Sequence, residues 1–89
     1  MSYQINFSKQ SQNDIEFFKK TGNKIVLKKL FTLLTEISEH PFSGTGKPEL
    51  LKYNLTGLWS RRINHEHRLV YEVLEDQILI HSAKGHYLH

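Results

Sequence analysis

Residues 58–73 run Leu58-Trp59-Ser60-Arg61-Arg62-Ile63-Asn64-His65-Glu66-His67-Arg68-Leu69-Val70-Tyr71-Glu72-Val73. Their apolar and β-branched members are those of a hairpin, with Leu58, Trp59 and Ile63 on one arm and Leu69, Val70, Tyr71 and Val73 on the other. Three arginines and two histidines are threaded through the same stretch. A strand alternates its side chains between two faces. Trp59, Arg61 and Ile63 therefore point one way, while Leu58, Ser60, Arg62 and Asn64 point the other. On the second arm Leu69, Tyr71 and Val73 oppose Arg68, Val70 and Glu72. Arg62 and Arg68 flank the turn at Asn64-His65-Glu66 and could lie as near neighbours on one face, a placement that depends on a register the sequence leaves open.

Working outward, strands are expected at 58–64, 67–74 and 77–83, with a second turn at Glu75-Asp76. Upstream, Tyr3-Gln4-Ile5-Asn6-Phe7 alternates as a half-buried strand does. Ser8 can cap a helix over 10–21, where Ile15 and Phe18 share a face and Lys19 and Lys20 suit the last turn. Gly22 is placed to end that helix and Asn23 to cap the next. Val26, Leu30, Leu33, Leu34 and Ile37 form one continuous apolar stripe, the mark of a helix laid on a core. Pro41 disfavours helix at His40 and stops it. The expected fold is α+β in the order β-α-α-β-β-β, with two helices on one face of an antiparallel sheet and the other face free.

The chain of 89 residues suits a single domain over 1–89. At 38% hydrophobic and 24% charged residues it is globular in composition. No apolar run could span a membrane, and the N-terminus lacks the n- and h-regions of a signal peptide. The absence of cysteine excludes disulfides, thiolate metal sites and cysteine nucleophiles, and fits a cytoplasmic protein. The net charge of +3 is concentrated: Lys47, Lys52, Arg61, Arg62 and Arg68 face only Glu49 and Glu66 between positions 47 and 68. Such a field suits a polyanion, nucleic acid first, although a solvated basic face has the same composition.

The loop Pro41-Phe42-Ser43-Gly44-Thr45-Gly46-Lys47-Pro48 invites a phosphate-loop reading, but Pro41 and Pro48 occupy places where that motif needs Gly and Ser or Thr. No serine sits in a nucleophile elbow. His65-x-His67, with His81, His86 and His89 elsewhere, is a metal pair without a carboxylate to complete it, so no metal or cofactor is expected. Glu49, Lys52, Arg62, Arg68, His86 and Tyr87 remain. These are the residue types of metal-free RNA cleavage by the neighbouring 2′-hydroxyl: a base, an acid, cations for phosphoryl charge and a ring to stack on a base. Residue types alone leave other small basic proteins open.

Pro41-Phe42-x-Gly-x-Gly-Lys47-Pro48-Glu49, Leu51-Lys52-x-Asn54-Leu55-x-Gly57-x-Trp59-Ser60-Arg61-Arg62-Ile63, Glu66-His67-Arg68-Leu69-Val70-Tyr71 and His86-Tyr87 closely resemble the YoeB (also Txe) toxins of bacterial toxin–antitoxin systems, in the RelE superfamily. The resemblance implies a RelE-like fold and an endoribonuclease that cuts messenger RNA in the ribosomal A site, is often a homodimer, and is silenced by a YefM-like antitoxin. It implies Glu49 as general base, His86 as general acid and Arg68 as stabiliser of the scissile phosphate. Lys52 and Arg62 then assist, Tyr87 positions substrate, and Lys47 and Arg61 join the substrate-binding basic cluster. Two readings from other classes are an inert RelE-fold module, such as a ParE-like gyrase inhibitor or an antitoxin-binding scaffold, and a general RNA-binding protein. The ending departs from the family's Arg-Tyr-His-Tyr: Lys84-Gly85-His86-Tyr87 is followed by Leu88-His89, and Gly85 is expected to make the tail from 85 onward pliable.

Overall fold

The computed structural model describes residues 2–85. His86, Tyr87 and the Leu88-His89 extension, with the roles and pliability expected of them, lie outside the described residues.

Strand β1 (Gln4–Phe7) leads into helices α1 (Lys9–Lys20) and α2 (Lys24–Glu39), followed by strands β2 (Glu49–Leu50), β3 (Leu58–Arg62), β4 (Arg68–Val73) and β5 (Gln77–Ser82). The order is the expected one with a two-residue strand added before β3. Both helix starts form where their capping residues predict. Ser8 Oγ accepts from Ser11 N and Asn23 Oδ1 accepts from Val26 N. α2 ends at Glu39, two residues before Pro41.

The strands form one sheet in the order β1-β5-β4-β3-β2. β2 to β5 are an antiparallel meander, and β1 pairs parallel to β5 on the far edge, with Ile5 beside Ile78 and Phe7 beside Ile80. The two intervening helices make this parallel pairing possible, since a parallel pair needs a long crossover. The stripe of α2 (Val26, Leu30, Leu33, Leu34, Ile37) is wholly buried. It meets Phe18 of α1 and Leu69, Tyr71, Ile78 and Ile80 of the sheet in one core. Among the described residues no helix is long and apolar enough to cross a membrane.

Candidate active site

The register of the β3–β4 hairpin decides what lies on the open face. Arg62 pairs directly with Arg68, and Ser60 with Val70, while β2 sets Glu49 opposite Ser60. Adjacent strands are about 5 Å apart. Glu49, Ser60, Arg62 and Arg68 are thereby brought to one end of three neighbouring strands. With Gly46, Lys47 and Pro48 they line a cleft of about 380 Å³. One carboxylate and three cations face it. Two arginines directly opposite one another repel, and a bound anion between them would relieve that repulsion. The Arg68 guanidinium is steadied from behind, where Nη1 donates to the Asn64 carbonyl at 2.9 Å.

The fourth wall comes from the loop between α2 and β2, and its shape depends on Arg61. Alternation turns Arg61 to the core side, opposite Arg62, and its side chain is 0% exposed. Nε donates to the Tyr71 hydroxyl (3.2 Å) and Nη1 to Glu36 Oε1 (3.2 Å) and the Thr45 carbonyl (3.3 Å). Nη2 donates to the carbonyls of Ser43 (2.7 Å) and His40. Tyr71 in turn donates to the Pro41 carbonyl at 2.6 Å. Glu36 accepts from the Thr45 N–H and hydroxyl, both at 2.8 Å.

These contacts tune two groups. The Thr45 N–H and hydroxyl, with Arg61, hold the Glu36 carboxyl below its usual value. Burial pushes the Tyr71 hydroxyl up, against the opposing effect of Arg61. The loop then closes on β3: Arg62 N donates to the Gly46 carbonyl at 2.7 Å. Gly46 has φ +85°, and a Cβ there would stand 2.9 Å from the Arg62 carbonyl oxygen. Lys47, next in line, takes φ +53°. A non-glycine residue held in that region stores strain of the kind that gathers at binding sites.

The expected site residues thus divide. Glu49, Lys47, Arg62 and Arg68 share the cleft, and Lys52 is exposed beyond its lining. Arg61 departs from the substrate-binding role expected of it: it faces away from the cleft and organises the wall instead, because odd positions of β3 face the helices. His67 has a role its residue type alone did not announce. Its Nδ1 accepts from Gly85 N at 2.9 Å, its ring meets Phe18 edge-on at 4.9 Å, and Arg68 N donates to the Gly85 carbonyl at 3.0 Å. Gly85, expected to loosen the tail, is therefore held at both its N–H and its C=O. Among the described residues no group of three or more His, Asp or Glu side chains is arranged to hold a metal. Glu36, Gly46 and Tyr71 were given no role from the sequence: Gly46 and Tyr71 stood among the residues that carry the family resemblance, and Gly46 also in the rejected phosphate-loop pattern, while Glu36 carried no signal.

The sequence model of the family described as the YoeB-like toxin of bacterial type II toxin–antitoxin systems matches residues 7–87. This chain belongs to that family. It is 47% identical over 81 residues to toxin YoeB of Escherichia coli K12, covering 91% of this chain and 95% of that one. The YoeB dimer from Staphylococcus aureus superimposes with a TM-score of 0.87 at 48% identity, over 98% of this chain and 100% of that one. The same organism's YoeB–YefM complex contains a chain with a TM-score of 0.85 at 49% identity, again over 98% and 100%. The expected RelE-like architecture is the one found, and the YoeB-like assignment covers both the cleft and the elements that build it.

Proposed function

We propose that this toxin is an endoribonuclease that cleaves messenger RNA in the ribosomal A site without a metal ion. The observation that carries the reading is the meeting of Glu49, Arg62 and Arg68, from three different strands or their edges, around one open cleft. Glu49 takes the proton of the 2′-hydroxyl, and O2′ attacks the adjacent phosphorus. Negative charge grows on the phosphoryl oxygens and is met by Arg68, with Arg62, Lys47 and Lys52 holding the flanking backbone. The P–O5′ bond breaks as His86 protonates the leaving oxygen, giving a 2′,3′-cyclic phosphate and a free 5′-hydroxyl. Tyr87 helps position the substrate.

The basic cleft also suits the acidic part of a YefM-like antitoxin, which would compete with RNA for Arg62 and Arg68 by charge. The Staphylococcus aureus relative is described as a dimer and in complex with YefM; a homodimer and such an antitoxin complex are proposed here too. The cytoplasm, where ribosomes work, is the proposed location.

Single-turnover cleavage of messenger RNA on programmed ribosomes tests the roles. Glu49→Gln keeps shape and removes the base, so cleavage should collapse while the fold and antitoxin binding persist. Arg68→Ala should slow cleavage about a hundredfold or more with a much smaller effect on binding, the size expected for one donor to transition-state charge. Near-wild-type rates in both variants would overturn the reading.

A further inference from the structure

Among the described residues only two other than glycine take a left-handed backbone, Lys47 (φ +53°) and Tyr53 (φ +60°), and they flank Glu49 on either side. Lys47 lines the cleft; Tyr53 is unexplained by the fold. Its side chain is 89% exposed, so the ring contributes almost nothing to the core. Ile25 is as exposed, at 84%, but it sits in the regular backbone of α2 and its position costs nothing. Tyr53 opens the 3₁₀ turn Tyr53–Leu55. That turn is closed by Thr56, whose N–H (3.1 Å) and hydroxyl (2.6 Å) both donate to the Tyr53 carbonyl. Of Tyr53 itself those bonds use only the backbone carbonyl. Glycine or asparagine would make the same turn with less strain, so the fold has no use for a tyrosine here.

We infer that Tyr53 is a substrate-binding residue whose ring stacks on a nucleobase next to the cleaved phosphate. The inference rests on the endoribonuclease reading and extends it. Tyr53 lies four positions after Glu49, a span of at most about 14 Å, which puts the ring within reach of nucleotides flanking an RNA strand bound in the cleft. Lys52 precedes it and is exposed, and the cleft holds three further cations. Single-stranded RNA is gripped by exposed rings together with cations, since every base has a face to stack and every phosphate a charge to meet. The strained backbone holds the ring out in solvent before RNA arrives, which lowers the ordering cost of binding.

The test separates a binding role from a structural one by sign. Tyr53→Asn and Tyr53→Gly remove the ring and relax the backbone. Both variants should melt at or above the wild-type temperature, while the concentration of programmed ribosomes needed for half-maximal cleavage rises about tenfold. Tyr53→Phe should behave as wild type. A set of messages, each with one 2-aminopurine in or beside the A-site codon, should show one position whose fluorescence is quenched by wild type and Tyr53→Phe but not by Tyr53→Asn. A fall in melting temperature that tracks the loss of cleavage would make Tyr53 structural and overturn the inference. So would unchanged half-saturation and quenching in Tyr53→Asn, or a defect confined to antitoxin binding. Absence of cleavage by the wild-type protein would instead sink the endoribonuclease reading, and the quenching arm would still decide the stacking.

Discussion

Arg61 Nη1 lies 3.2 Å from Glu36 Oε1, tying β3 to α2 directly beneath the loop that brings Lys47 and Glu49 to the cleft. The guanidinium also satisfies three loop carbonyls and the Tyr71 hydroxyl. Replacing it with Leu leaves all of these without their donor. Arg61→Leu should cost about 3 kcal/mol or more, a fall in Tm of roughly 10 °C or more for a domain this size. Arg61→Lys should recover little, because one ammonium cannot reproduce the planar fork. Urea unfolding of the three proteins would measure it; a Lys variant as stable as wild type would contradict the geometry.

Glu36 makes stability depend on acid. Its folded-state pKa is depressed, first by the Thr45 N–H, then by the Thr45 hydroxyl and Arg61. A group whose pKa is lower when folded contributes stability that is fully present above its ordinary value, near 4.5, and is lost as pH falls through the folded value. Chemical unfolding at a series of pH values should therefore show a steeper acid limb for wild type than for Glu36→Gln. Parallel limbs would mean that the loop contact does not persist in solution.

Gly46→Ala should be worse than its size suggests. The methyl would press on the Arg62 backbone, and φ +85° is costly for alanine, roughly 1–2 kcal/mol before the clash is counted. The bond from Arg62 N to the Gly46 carbonyl would yield, and with it the wall of the cleft. Reduced stability with a larger loss of cleavage is expected, compared with Gly57→Ala, where an added Cβ meets nothing within 4 Å.

His67 anchors the residue before His86. His67→Phe keeps a ring against Phe18 and removes the nitrogen that accepts from Gly85 N. Stability should fall by only about 1 kcal/mol. Cleavage should fall much further, since the start of the tail is then held through the Arg68 N–H alone. His67→Asn, which restores an acceptor, should recover part of the activity. Equal activity in all three proteins would show that the anchor does not serve the site.

The elements were legible from the sequence because each rests on local rules. The α2 stripe, the caps at Ser8 and Asn23, and the stop before Pro41 are set by neighbours within a few positions, and all appear as read. Strand alternation likewise separated Arg61 from Arg62, whereas the placing of Arg62 and Arg68 on one face needed the register, which pairs them directly. Tertiary structure decided what no local rule reaches. The parallel pairing of β1 with β5 joins the two ends of the chain, and β2 is too short to leave a pattern. Arg61 looked like another cation of the basic field until its burial gave it Glu36, Tyr71 and three carbonyls as partners, because a fully buried guanidinium must be satisfied by acceptors that come from distant parts of the chain. Residue types left the chemistry open and the family resemblance implied it; the register of three strands and one internal arginine brought Lys47, Glu49, Arg62 and Arg68 to a common cleft.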